Sequence, residues 1–568
     1  MVKRFSSLLL IFAMVLSMSA CGKDSGKSAV TNTNTANTAN TASASASTTS
    51  DVKQFSKTIE FSWIGLNGVE VEDGNIVQKA IEEKFNVKIT NKKGNVTEKD
   101  QMNLMIAAGE MPDFAYLTPG INPPVDMYNQ GVIRTIPQNL IKEYMPNYSK
   151  MLDDNPPGWQ INLAQDKKDE YMCFTGLANN IKGLVFLPQY RLDWLEKIGM
   201  KPKGNLTQLD DKGKIFLSDK GFTMEEMEKI FIAFKEKDLD GNGKNDTFPM
   251  TGCEYKTWTW GTIMGMFGIA EDYNVNVNGE VEEWNISTQY KEFLKLAAKW
   301  YSMDLIDKEF TTLDRAKMWE KIAGGNVGWW IAPYSYLATT GSVPPGNLIE
   351  KNPDAKILVT APEIGSNNIS GSKQYTPVST YSYAIYAKKN VDDEKLIRYM
   401  QIFDWLNYDT EARVLGNWGQ EKVHFEWSGK PYESAPIAIE GVNTSKAGLR
   451  YYNQVIYDND FLKFLLSPLQ QNYAKWGLYG EGAKQVIRPF RFDYFNVTDI
   501  STVKKEVGQA IDTIRDEFYF KAVSGSVDID KSWDNYVNEW KKAGGDRVLE
   551  ELKKAPLVEE LIKGNIKY

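Results

Sequence analysis

IEFSWIGLNGVEVEDGNIVQKAIEEKFNVKIT, residues 59–90, decides the architecture. Ile59–Ile64 is a strand-like run; Val77, Ala80, Ile81 and Phe85 then recur at helical spacing, and Val87–Thr90 reads as a strand again. Outward from there, Thr97 with Asp100 has the form of a helix start. Met102, Met105 and Ile106 share one face, and Gly109 supplies a left-handed C-cap. Asp113–Leu117 (DFAYL) follows Pro112 as a further short strand. Strand, helix, strand, helix, strand at this spacing is a parallel α/β unit with right-handed crossovers. Sheets of this kind take ligands beyond the carboxyl ends of their strands, where the loops gather.

The rest of the chain is mixed. Helical patterns recur at Tyr190–Ile198, Thr223–Lys237, Tyr290–Ser302, Asp392–Asn407, Val503–Phe518 and Ser532–Lys542. Strand-like runs fall at Val327–Ile331, Ile357–Thr360 and Tyr381–Ala387. No repeat of fixed period is visible. A chain of 568 residues exceeds the roughly 250–300 at which single cores stop growing, so at least two are expected. The middle and the end share one α/β body, with more than one crossing between its lobes.

The first residues are an address. Lys3 and Arg4 precede the short apolar run Leu8–Leu16, and Ser19-Ala20 precede Cys21. The run is too short to span a membrane and has the form of a secretory leader. Small residues before a cysteine have the form of a lipobox, although Met18 stands where leucine is commoner. Cleavage before Cys21 leaves a lipidated cysteine anchored by acyl burial; the alternative is an ordinary signal peptide. Residues 31–50 contain only Thr, Asn, Ala and Ser, a composition that cannot offset its ordering entropy, and are expected to form a disordered tether. No later stretch reaches 18 uninterrupted apolar residues. Cys173 and Cys253 are compatible with one disulfide or with two separate buried thiols.

Charge and histidine count exclude whole classes of function. The net charge of −8 argues against general phosphate-backbone binding, so no nucleic-acid partner is expected. His424 is the only histidine, which rules out an HExxH zinc site and a Cys2His2 finger, and leaves little room for a His-based triad.

One loop carries a specific chemical pattern. Asp238, Asp240, Asn242 and Asp246 place oxygen side chains at alternating positions, Lys244 offers a carbonyl and Gly243 permits the sharp turn, which is the spacing of a calcium loop. A helix with a Thr223–Glu226 capping box precedes it. Pro249 stands where an EF-hand has its bidentate glutamate, and no second amphipathic helix follows. The reading is a structural Ca2+ site completed by another oxygen; the alternative is a solvated turn rich in Asp and Asn.

Sugar sites pair flat aromatic rings with polar donors and acceptors in a concave cleft. Trp63, Tyr116, Trp258, Trp260, Trp329, Trp330, Tyr334, Tyr381 and Trp418 lie where strands end or loops begin, though for any one of them core packing is the stronger reading. Trp533, Tyr536, Val537 and Trp540 form a packing stripe. Along a strand Trp329 and Trp330 face opposite ways, so at most one meets a ligand.

Taken together, the lipobox-like leader, the polar tether, AAGEMPDFAYL (107–117), RLDWLEKIGM (191–200), KEKDLDGNGKNDTFPM (235–250), VGWWIAPYSY (327–336) and SGSVDIDKSWDNYVNEWKKAGGD (524–546) resemble bacterial extracellular solute-binding proteins, family 1. These are lipoprotein receptors of carbohydrate ABC importers, and the branch is akin to alginate-binding proteins. The resemblance implies two α/β lobes joined by crossing strands with an interlobe cleft: 57–180 and 375–425 as the first lobe, 181–374 and 426–568 as the second, after a leader (1–20) and a lipidated tether (21–56). It places Trp63 and Asn67 at the end of the first strand, Tyr116 at the end of the PDFAYL strand, and Trp330 and Tyr334 in the segment that supplies stacking rings. Arg191, Trp258, Tyr381 and Trp418 complete the candidate ligand-binding residues. The resemblance also implies calcium in the second lobe at Asp238, Asp240, Asn242, Lys244 and Asp246. Thr247 replaces the glutamate usual in that branch. The implied function is a monomeric, non-catalytic receptor on the outer face of the membrane. It would pass an oligosaccharide to permease subunits, and through them engage their ATPase. The competing readings are an exported glycan hydrolase using an acidic pair and a receptor for a non-sugar solute such as a peptide.

Overall fold

The computed structural model describes residues 55–118, 122–154, 157–160, 162–164, 166–175, 183–244, 246–374, 384–453, 466–492 and 499–563. The leader, Cys21, the tether up to residue 54, and Tyr381 lie outside the described residues. Two main sheets are built from β1 (Ile59–Ile64), β2 (Val87–Asn91), β3 (Phe114–Leu117), β4 (Phe174–Thr175), β5 (Phe186–Arg191), β6 (Lys203–Gln208), β7 (Ile215–Lys220), β8 (Phe248–Met250), β9 (Val327–Pro333), β10 (Ile357–Thr360) and β11 (Ala384–Ala387). The first sheet has the order β2-β1-β3-β11-β4 and the second β8-β9-β5-β10-β7-β6.

The opening α/β unit forms as its pattern predicts. Ile59 pairs with Val87 and Trp63 with Phe114, both in parallel register. The helix Ile76–Phe85 buries Val77, Ile81 and Phe85, and is closed at its N-terminus by the Asn75 side chain, which accepts from the Gln78 N–H. The helix Lys99–Ala107 follows, and Gly109 takes φ 71°. β11 and β4 then join from far along the chain, both antiparallel pairings.

Each sheet has its own core. One gathers residues from Ile59 to Phe174 with Ala384–Leu406, the other residues from Leu184 to Val359 with Leu466–Leu552. Part of the stretch assigned to the second lobe by the sequence packs instead with the first: Leu449, Tyr451, Tyr452, Phe492, Val558 and Leu561. Reciprocal bonds explain the middle of it. Trp63 Nε1 donates to the Tyr451 carbonyl and the Tyr451 hydroxyl donates to the Trp63 carbonyl, both at 2.9 Å.

Local signals hold in the second lobe. The helix Met224–Glu236 carries both arms of the Thr223–Glu226 capping box. Trp533, Tyr536 and Trp540 are buried along the helix Ile529–Trp540, with the Tyr536 ring stacked on Phe518 at 4.1 Å. The Tyr190–Ile198 pattern divides: Tyr190 and Arg191 end β5, and the helix covers only Leu192–Lys197. Cys173 and Cys253 are buried, unpaired with each other and in different cores, so no disulfide joins them.

Candidate functional site

Strand polarity shows which edges face one another. In the first sheet, Ala384 pairs with both Leu117 and Thr175, so the carboxyl end of β3 lies where the chain crosses between sheets. In the second, Phe186 at the start of β5 pairs with Pro333 at the end of β9. The parallel neighbours of β9 and β10 end at the same edge. Each lobe therefore directs its strand-end loops toward the crossings, the place where an open α/β sheet offers a ligand crevice.

The second-lobe edge is aromatic. Trp258 stands 5.1 Å from Phe186, 5.5 Å from Trp319 and 5.9 Å from Tyr336, ring centre to ring centre. The Arg315 guanidinium lies 5.2 Å from the Trp258 ring. Beside them Tyr334 stacks on Tyr473 at 5.9 Å, with the planes 17° apart. Backbone bonds set this pair: Tyr334 N–H donates to the Val185 carbonyl (2.9 Å) and the Tyr473 hydroxyl to the Leu184 carbonyl (2.7 Å). Trp258 and Tyr334 each keep 8% of their surface exposed. Flat apolar faces with an adjacent guanidinium suit a polyhydroxylated ring, whose C–H face stacks while its hydroxyls bond.

Of the residues singled out in the sequence, Trp258 and Tyr334 come together at this edge. Asn67 reaches the equivalent edge of the first lobe, in the left-handed region (φ 63°), but its amide donates to the Leu449 carbonyl at 3.1 Å and so ties two loops together. Trp418 is half-buried and closes the helix Thr410–Trp418. Four others fall elsewhere. Trp63 is core, stacked on Tyr399 at 5.5 Å. Tyr116 is fully buried within β3. Trp330 sits mid-strand in β9 opposite Gln189, 1% exposed. Arg191 lies at the far end of β5, clamped to Asp193 (2.6 Å) and to the Gly325 carbonyl (2.8 Å) above the Trp194 ring. Trp319 and Tyr336 were missed. Tyr336 belongs to the same VGWWIAPYSY run, whereas Trp319 lies on the helix Arg315–Ala323, where it reads as an ordinary packing position.

The 238–246 loop converges on itself. Asp238 accepts from the backbone N–H groups of Gly241 (2.9 Å), Asn242 (3.1 Å) and Gly243 (2.9 Å). The Asn242 side chain touches Asp240 at 2.8 Å and Asp246 at 2.9 Å. Bonding to Gly243 N–H holds the Asp238 carboxyl below its ordinary range, while burial, then the carboxylates beside it, raises Asp240. Among the described residues no group of three or more His, Cys, Asp or Glu is placed to hold a metal. A cation here therefore needs the oxygens of Asn242 and Lys244 as well as the carboxylates.

Comparison with known proteins agrees with this architecture. Lipoprotein LipO of Bacillus subtilis is 25% identical over 464 residues, covering 80% of this chain and 83% of that one. The polygalacturonan/rhamnogalacturonan-binding protein YtcQ of the same organism is 23% identical, covering 82% and 86%. The fructooligosaccharide ABC transporter substrate-binding protein FusA of Streptococcus pneumoniae is 27% identical over 45% of this chain and 46% of its own. The chain is homologous to these three proteins, one a lipoprotein and two named for binding oligo- or polysaccharides. Among solved structures, an extracellular solute-binding protein from Bifidobacterium longum subsp. infantis superposes with a TM-score of 0.64 at 15% identity, covering 90% and 99% of the two chains. An EF-hand mutant of FusA in complex with fructo-nystose gives 0.58 at 19% identity, covering 90% and 99%. These likenesses establish the two-lobe fold. Residues 494–555 match a family described as a domain of unknown function (DUF3502).

Proposed function

We propose that this protein is a membrane-tethered receptor that captures an oligosaccharide between its lobes and delivers it unaltered to an ABC importer. The observation that carries the reading is the ring cluster of Trp258, Trp319, Tyr334 and Tyr336 at the strand-end edge of the second lobe, in a fold shared with oligosaccharide-binding proteins. The two cores are the bodies that close, and closure is favoured because the closed state makes sugar contacts from both lobes at once. Cys21 supplies the lipid anchor; among the described residues no helix is long and apolar enough to cross a membrane.

In this reading Asp238, Asp240, Asn242, the Lys244 carbonyl and Asp246 hold a structural Ca2+. The acidic side chains around one amide support it, since a hard cation relieves their mutual repulsion. The existence of an EF-hand mutant among the FusA structures supports it further. Titration calorimetry against fructo-, pectic and alginate oligosaccharides, with product analysis of each mixture, tests the function. Saturable binding with the sugar recovered intact is expected. Turnover, or no binding to any oligosaccharide, overturns it.

A further inference from the structure

The C-terminal segment crosses from one core to the other within a few residues. The helix Asp546–Lys554 buries Val548 and Leu552 in the second core, whereas the helix Val558–Ile562 buries Val558 and Leu561 in the first. Pro556 cannot extend the first helix and keeps the link extended. The link does not run free. Phe492 N–H donates to the Pro556 carbonyl at 2.9 Å and Val558 N–H to the Phe490 carbonyl at 3.1 Å. The Arg491 guanidinium donates to the Ala555 carbonyl at 2.6 Å, and Arg491 and Leu557 form an antiparallel bridge.

That two-stranded ribbon is fastened to the second lobe by Phe490, which packs against the second core, by the pairing of Val486–Ile487 with Ser372–Lys373 just upstream, and by Asn274. Asn274 receives Phe490 N–H on its carbonyl (3.0 Å) and Arg491 N–H on its side-chain oxygen (2.7 Å), and its amide donates to the Arg491 carbonyl (2.9 Å). At its other end Phe492, Val558 and Leu561 are buried, at 1–3% exposure, in the first core. A second tie runs in parallel: Lys505, on the helix Ile500–Val523, meets Asp126 of the first lobe at 3.2 Å. Both are exposed, so this ion pair adds little by itself.

We propose that residues 555–562 are an interlobe strap, with the helix Val558–Ile562 as its plug in the first lobe and the helices Ile500–Val523, Ile529–Trp540 and Asp546–Lys554 as its mount on the second. The strap limits how far the lobes separate and makes their unfolding cooperative. This assigns a mechanical role to the C-terminal region, independent of which ligand the cleft takes.

The experiment uses the protein without sugar, so its outcome is separable from the ligand reading. Two variants are compared with the full chain: one ending after Leu557, and the full-length Leu561→Asp. Calorimetry and small-angle scattering are the readouts. The full chain is expected to melt in one transition, and both variants in two, with the second-lobe transition unmoved and the radius of gyration increased. A single transition with unchanged radius in both variants overturns the strap. Should neither variant fold, hydrogen exchange on the unaltered chain decides. Slow exchange at the Phe492 and Val558 amides supports the strap, and exchange at unstructured-chain rates refutes it.

Discussion

Glu363 offers the sharpest energetic test of the second lobe. It is fully buried, and its Oε1 accepts two bonds, from the Tyr190 hydroxyl at 2.8 Å and from Trp329 Nε1 at 3.0 Å. Its Oε2 sits by the Thr262 hydroxyl, and neither atom completes a bond of good geometry. Burial pushes the carboxyl above its ordinary 4.5. Glu363→Ala leaves two buried donors without an acceptor, at about 1–3 kcal/mol each, so a loss of about 2–6 kcal/mol is expected before any cavity is counted. Glu363→Gln keeps the acceptor and removes the titration. A group whose folded pKa is raised contributes stability that is complete below its unfolded value and fades as pH rises through the folded one. Relative to the native protein, the glutamine variant should therefore be no better near pH 4 and progressively more stable toward pH 8. Calorimetric melting at pH 4.5, 6 and 8 measures this. A glutamine variant as damaged as the alanine one, or a difference that does not change with pH, would refute the reasoning.

Removing the Trp258 or Tyr334 ring should weaken oligosaccharide binding by about 1–3 kcal/mol and also lower the melting temperature, since both rings are more than nine-tenths buried; calorimetric titration well below the variant's melting point reads the binding loss. Trp330→Ala is expected to act the other way, destabilising the fold by about 3–5 kcal/mol through a cavity under β9; a variant that folds normally but fails to bind would return Trp330 to the ligand set. Chelation should lower the melting temperature, with calcium restoring it, and Asp240→Ala should abolish the response; no shift removes the metal. Cys173 and Cys253 should both react with a thiol reagent only after unfolding, since burial pushes the Cys253 thiol up to about 12 and raises Cys173 as well; titration with and without denaturant counts them.

What was legible in the sequence was local. The 59–117 unit reads off periodicity because each helix and strand is specified by neighbours within a few turns. The Thr223 cap and the Trp533–Trp540 stripe are legible for the same reason. The candidate ring cluster was half legible, because the sequence shows which rings exist but not which face of a strand they take. Trp330 and Tyr334 lie four residues apart. The first is mid-strand and enclosed on both sides of the sheet, while the second begins a 3-10 turn where the strand has ended and the chain opens toward the crevice.

Least legible were contacts that depend on distant partners. Trp63 reads as a strand-end ring until Tyr451, which is 388 positions away, takes its indole N–H. Arg191 reads as a binding arginine until Gly325 supplies a buried carbonyl for it. The strap is the extreme case. Val558 and Leu561 carry an unremarkable helical pattern, and only the ribbon with Phe490–Phe492 shows that this last turn belongs to the opposite lobe. A plug of one short helix can release without unthreading a sheet, whereas β4 and β11 are held in the first sheet by pairing with each other and, for β11, with β3. The division predicts that the strand crossings set the axis of motion and the strap sets its range.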